Sequence, residues 1–260
     1  MIRTALLLVL MVIVPRGATA EPVRVMVAAN FRECLQVLTE QYTVQTGTEF
    51  KISHGGTGQL YAQIRAGAPC DLFFAADSAR PQRLVTDGWA SEPDCSTYAI
   101  GQLMLCGLKP YPNPGGGKAV EMMLDYVMRD EGGRLAIANP DLAPYGRAAV
   151  QVLRNMGRYE DWEHRLVRGQ NVAQTWQFLH TGAAPLGFVA RSQVMAAQRT
   201  GQKLKMGTAI LVPLDLYDPV VQQVVVAHGA QPQAREFLIF LFSAEGHKIL
   251  REFGYRIPTP

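Results

Sequence analysis

Short apolar runs alternate along this chain with stretches of helical periodicity. The segment 23–28 holds Val23, Val25, Met26, Val27 and Ala28 and predicts a strand buried on both faces of a parallel sheet. Phe31, Leu35, Leu38 and Tyr42 then recur at i, i+4, i+7 and i+11, which predicts a helix capped by Asn30 and stopped at Gly47. A short strand over 50–53 leads into the glycine-rich bend His54-Gly55-Gly56-Thr57-Gly58-Gln59-Leu60. Leu60, Tyr61 and Ile64 follow at helical spacing, which places Thr57 and Gly58 at a helix N-terminus. A strand over 71–76 and a helix capped by Asp77 or Ser78, stopping at Gly88, complete the first array. Strand and helix in alternation predict an α/β fold built of βαβ units, in which ligands bind at helix starts beyond the C-terminal strand ends.

The pattern then restarts. A longer apolar strand is expected over 98–108, with Gly101 near its start, followed by a loop over 111–117 and helix over 124–128. A strand over 134–138 precedes the loop 139–146, and Arg147 opens a helix packed through Ala148, Ala149, Val152 and Leu153. Gln170-Asn171-Val172 opens another helix with Trp176 and Leu179 inward, and a strand over 186–190 and a helix over 192–198 follow. The valines of 220–227 form a last strand, and one final helix over 232–253 supplies Phe237, Leu241, Ile249 and Phe253 to the core. Two βαβ arrays joined near 98–104 and 217–224 predict two lobes, 21–101 plus 220–260 and 102–219, with the last helix returning to the first. That is the layout of a cleft-closing binding protein.

The first twenty residues stand apart. Arg3, an apolar core over 6–14 and the small-x-small triplet Ala18-Thr19-Ala20 have the form of a cleaved export signal, an uncleaved anchor being the alternative. Loss of the leader removes Arg3 and Arg16, so the formal charge of +3 falls by two and leaves no basic excess for nucleic acid. Cys34, Cys70, Cys95 and Cys106 lie in an exported chain, where disulfides persist. Their spacing contains no C-x-x-C and decides neither pairing nor free thiol.

Four helix starts carry the candidate chemistry: Asn30, Thr57-Gly58, Tyr145-Gly146 and Asn171-Val172, two in each expected lobe. If the lobes face each other, backbone N–H groups, an amide, a hydroxyl and a phenol converge on one cleft. Neutral donors on all sides suit a fully ionised tetrahedral oxyanion, whereas phosphate carries a proton near neutral pH and requires an acceptor. Considered alone, Asn30 and Thr57 read equally well as helix caps, and Tyr145 as a surface residue. Arg147 beside the pocket reads as a solvated arginine, and His54 as an exposed or supporting residue. The enzyme motifs G-x-S-x-G, G-x-x-x-x-G-K-[ST] and H-E-x-x-H are absent, and the five histidines have no ligand spacing.

Val27-Ala28-Ala29-Asn30-Phe31, the run from Gly55 to Asp77, Gly133-Arg134-Leu135-Ala136-Ile137-Ala138-Asn139-Pro140 and Pro185-Leu186-Gly187-Phe188-Val189-Ala190 resemble the periplasmic molybdate-binding proteins of ABC transporters. Phe253-Gly254-Tyr255 extends the likeness to the C-terminus. The resemblance implies a type II-like two-lobe fold, each lobe a mixed, mostly parallel sheet flanked by helices, with molybdate or tungstate in the cleft. It implies a periplasmic monomer that needs no cofactor, is not an enzyme and delivers its anion to an inner-membrane permease. The family's ligands fall on Asn30, on the Thr57 hydroxyl, on Tyr145 and on the Val172 backbone, with the Ala29 N–H beside Asn30. Where some members carry a tyrosine at the end of the P-L-G strand this chain has Ala190, so Tyr145 supplies the phenol. The alternatives are another tetrahedral oxyanion such as sulfate, a sensory anion-binding role and, remotely, a periplasmic hydrolase.

Overall fold

Two five-stranded sheets carry the chain in a computed structural model that describes residues 21–258 apart from 112, 114 and 202–206. The expected leader, and the two prolines of the 111–117 loop, lie outside the described residues. The first sheet contains β1 (Val23–Ala28), β2 (Phe50–Gly55), β3 (Leu72–Ala75), β4 (Cys95–Gly101) and β10 (Val220–Val226), in the order β2-β1-β3-β10-β4. The second contains β5 (Leu103–Gly107), β6 (Leu135–Ala138), β7 (Leu166–Gly169), β8 (Leu186–Ala190) and β9 (Thr208–Leu211), in the order β7-β6-β8-β5-β9. In each sheet one strand runs against the others: β10 pairs antiparallel with β3 and β4, and β5 with β8 and β9. The remaining pairings, β1 with β2 and β3 and β6 with β7 and β8, are parallel, so each sheet is mixed, with pairings evenly divided and four of its five strands running the same way.

The strand expected over 98–108 is two strands in two different sheets. Gln102 alone separates β4 from β5, and there the chain leaves the first sheet for the second. It returns between β9 and β10. The apolar run reads through the join because both strand ends are buried, and a two-residue period carries no mark of which sheet a residue enters. Strands β7 and β9, and the short helix α6 (Tyr159–Glu163), are further elements that the sequence pattern left out.

Helices α1 (Arg32–Thr46), α2 (Thr57–Arg65) and α3 (Ala79–Thr86) cover the first sheet, and α4 (Gly116–Met128), α5 (Pro144–Asn155), α7 (Val172–Thr181) and α8 (Arg191–Arg199) the second. The expected last helix is two, α9 (Pro232–Leu241) and α10 (Ala244–Glu252), because the Ser243 hydroxyl caps the second by accepting from the Gly246 N–H at 3.2 Å. Both pack on the first sheet with α1, burying Phe237, Leu241 and Leu250 against Phe31, Leu35 and Leu38. Alternate residues of β1 serve two cores: Val25 and Val27 face this one, and Met26 faces Leu60, Ile64 and Phe73 on the other side. Beyond α10 the chain pairs Arg256 with Ile100, at 2.8 and 3.0 Å, which seats Tyr255 beneath the end of β1.

All four cysteines are free thiols. Burial pushes Cys70 and Cys106 each up to about 12, so both are inert protonated core groups. Among the described residues no helix is long and apolar enough to cross a membrane.

Candidate functional site

Beyond the C-terminal ends of β1 and β2 the backbone turns at Ala28–Asn30 and Gly55–Thr57, and the second sheet's α5 and α7 begin opposite. The junctions line a small, partly open cavity with about 10 Å³ of room for the centre of a water-sized sphere, the space of about one water. Ala29, Asn30, Thr57, Tyr145 and Val172, the five positions singled out in the sequence, all line it. No charged side chain lines it, and Asn30, Thr57 and Tyr145 are each 2 % exposed or less.

Each junction has its own local cause. Gly56 is extended ahead of α2, so Thr57 is the first helical residue rather than its cap, and its hydroxyl is released from capping. The Thr57 Oγ1 instead accepts the Ala76 N–H at 3.2 Å. Helix α5 starts at Pro144, earlier than the expected Arg147, because proline suits the first helical position. Tyr145 therefore sits in the first turn, where its phenol reaches back toward the crossing at Gly101. A Cβ on Gly101 would lie 2.1 Å from the Tyr145 hydroxyl, so glycine is required there. Burial pushes the Tyr145 phenol far up, and it remains a protonated donor. At α7 the Asn171 side chain caps the Ala173 and Gln174 N–H groups, at 3.0 and 3.2 Å. Among the described residues the Val172 N–H has no acceptor.

Two expectations change. Asn30 is not the cap of α1: the helix begins at Arg32, and the residue before it makes no side-chain cap bond. The Asn30 Nδ2 instead donates to Gln222 Oε1 at 2.9 Å and to the Tyr255 hydroxyl at 3.0 Å. Its carbonyl accepts from Tyr255 and from Ser192 of α8, so the side-chain amide is held behind the cavity wall. The Ala29 N–H donates to the Gly55 carbonyl at 2.9 Å, a continuation of the β1–β2 ladder, and is not open to the cavity. The Asn30 N–H, in contrast, has no acceptor among the described residues.

The lobes touch across the cleft. Gly58 N–H donates to the Leu142 carbonyl at 2.9 Å, and a Cβ on Gly56 would come within 3.1 Å of the Gln170 carbonyl. Gly56 and Gly58 of the bend therefore serve the approach of the opposite lobe. Arg147 is partly solvated and lies off the cavity: its Nη2 donates to Asp77 Oδ2 at 2.9 Å, across the cleft. Arg80 pairs with the same carboxylate and donates to the Asp141 carbonyl at 3.0 Å. His54 is exposed on β2, where partial desolvation of its ring and the Arg32 charge lower its pKa. Among the described residues no group of three His, Cys, Asp or Glu could hold a metal ion.

The layer behind the cavity escaped the sequence reading. Gln222 of β10 is fully buried and bonds two of the four junctions, through Asn30 and Tyr145, and Tyr98 of β4 as well. Its one sequence signal is an amide pair, Gln222-Gln223, interrupting a run of valines.

Residues 23–256 match the family of bacterial extracellular solute-binding proteins. The molybdate-binding protein ModA of Rhodobacter capsulatus is 38 % identical over 254 residues, 97 % of this chain and 94 % of that protein. ModA of Azotobacter vinelandii is 38 % identical over 242 residues, 92 % of this chain and 91 % of that protein. The solved structure of the Azotobacter vinelandii periplasmic molybdate-binding protein superposes with a TM-score of 0.80 at 34 % identity, covering 91 % of this chain and 100 % of that one.

Proposed function

The chain belongs to the bacterial extracellular solute-binding proteins, and from that premise we propose that it captures molybdate, and tungstate with it, for delivery to an ABC permease of the inner membrane. The reading takes it as a periplasmic carrier, exported by cleavage of residues 1–20, acting as a monomer and without catalysis. Its lobes are 21–101 plus 220–260, and 102–219.

One observation supports the cargo above all: helix starts and hydroxyls from both sheets converge on a small cavity lined by no charged side chain. An oxyanion there receives the Thr57 hydroxyl and the Asn30 N–H from one lobe and the Tyr145 phenol and Val172 N–H from the other. Helix N-termini contribute about half a positive charge each, so a dianion is held without a lysine or arginine. Each lobe supplies part of the shell, which makes closure and capture one event. The loaded shape is then what a permease selects.

Thermal unfolding of the mature protein in molybdate, tungstate, sulfate or phosphate tests this. At about a hundred times the dissociation constant, ligand should add about 2.7 kcal/mol of stability. A rise with molybdate and tungstate alone is expected. A comparable rise with sulfate would keep the trap and change its cargo, and no rise with any anion would remove the oxyanion reading.

A further inference from the structure

Behind the cavity lies a network of hydrogen bonds that ends on the Tyr145 hydroxyl of its lining. Gln222 is the centre of that network. The Oε1 accepts from Tyr98 at 2.8 Å and from Asn30 Nδ2 at 2.9 Å, and the Nε2 donates to the Tyr145 hydroxyl at 3.2 Å. With Oε1 taking both donors, Nε2 is the end that faces Tyr145; the Tyr98 hydroxyl also lies 3.4 Å from the Ala75 carbonyl. Asn30 is oriented in turn, since its Nδ2 faces Gln222 Oε1 and a Tyr255 oxygen whose own proton goes to the Asn30 carbonyl at 2.8 Å. The Tyr145 oxygen therefore receives a proton from behind, and among the described residues none accepts the proton it carries.

We propose that Gln222 sets the polarity of the cavity: by donating to the Tyr145 oxygen it turns the phenol proton inward, so the pocket admits fully deprotonated oxyanions and refuses one that carries a proton. This rests on the oxyanion reading above and extends it to a positioning residue on the opposite lobe from the tyrosine. A hydroxyl is by nature donor and acceptor, and a pocket of free hydroxyls would accommodate a protonated anion by rotating one of them. Occupying the oxygen from outside removes that freedom. Thr57 is treated the same way by the Ala76 N–H, at 3.2 Å. Burial makes the arrangement costly to break, because reversing Gln222 alone would set its Nε2 against Asn30 Nδ2 with no acceptor between them. Reversing both amides would pair them again, but would draw the Tyr145 proton out of the cavity onto Gln222.

The test is calorimetric titration of molybdate and sulfate into the full mature protein, with unfolding of the anion-free variants measured alongside. Tyr145→Phe and Gln222→Met should each weaken molybdate binding by roughly ten- to a hundredfold, the range of one charge-assisted bond. The double variant should bind about as Tyr145→Phe does, because Gln222 acts through the phenol proton. Gln222→Glu supplies a second readout that packing alone would not move. As its carboxyl ionises it should take the Tyr145 proton, so affinity should fall with rising pH between about 6 and 9 while the wild type stays flat. The titratable groups around position 222 are the phenols of Tyr98, Tyr145, Tyr217 and Tyr255 and the Cys34 thiol, all pushed up by burial. Should Gln222→Met fold poorly, the pH profile of Gln222→Glu decides. A flat profile there, or full additivity of the Met variant with Tyr145→Phe, would overturn the assignment of Gln222. If Tyr145→Phe itself binds normally, the oxyanion site is what fails.

Discussion

The oxygen of Thr57 faces two ways, accepting the Ala76 N–H behind it and offering a proton to the cavity. Thr57→Ser keeps both bonds and should bind molybdate within a few-fold of wild type. Thr57→Ala should cost about 1–3 kcal/mol of binding, read by titration calorimetry, since a charge-assisted bond is lost. Gly101 is under a steric constraint: a Cβ would meet the Tyr145 hydroxyl at 2.1 Å and Gln222 Nε2 at 2.4 Å. Gly101→Ala should destabilise the protein by about 1–3 kcal/mol through overpacking and weaken binding as it displaces the phenol. Wild-type denaturant midpoint and affinity in that variant would mean the crossing yields freely. Asp71 is buried, which alone would raise its carboxyl, but three bonds from Arg24 outweigh that and hold it below the ordinary carboxylate range. A depressed carboxylate contributes stability that is complete above its unfolded pKa of about 3.9 and lost as pH falls toward the folded value. Asp71→Asn should therefore destabilise at neutral pH and flatten the loss of stability below about pH 4. An acid limb as steep as wild type would assign it to other carboxylates.

At the scale of elements, the pattern located most helices and strands, missed β7, β9 and α6 outright, and otherwise failed at joins. The final helix reads as continuous because Phe237, Leu241, Ile249 and Phe253 all face the first sheet, yet Ser243 interrupts it. Ser243→Ala removes the cap of α10 and should cost about 1 kcal/mol in denaturant unfolding. An unchanged midpoint would show that the helix start is held by packing instead. The start of α1 errs in the opposite sense. Asn30 has the chemistry of a cap, but three partners distant in sequence, Gln222, Tyr255 and Ser192, engage it first. Local propensity yields where buried polar groups have stronger claims.

For the whole molecule, capture depends on how readily the lobes close. Arg147 reaches Asp77 across the cleft, and Arg80, paired with Asp77 in its own lobe, crosses to the Asp141 carbonyl; neither arginine lines the cavity. Arg147 is partly exposed, so the pair is worth at most about 1 kcal/mol. Arg147→Ala should weaken molybdate and tungstate by the same factor, less than about fivefold, because it biases closure and leaves the donors in place. A change in the ratio of the two affinities would place Arg147 in contact with the anion.

The sequence by itself determined the α/β class, the alternation of strand and helix, and the positions whose side chains or backbone come to line the cavity. Those features follow from local periodicity, from glycines at tight junctions and from motifs short enough to read along the chain. Only the tertiary structure decided which sheet each half of the 98–108 run enters and where the buried polar groups find partners. It alone engages the Ala29 N–H within the sheet and sets Gln222 behind Tyr145, at 3.2 Å and 77 residues away. The reason is physical: a hydrogen-bond partner is chosen by proximity after folding, and nothing in the local sequence of either residue encodes the other.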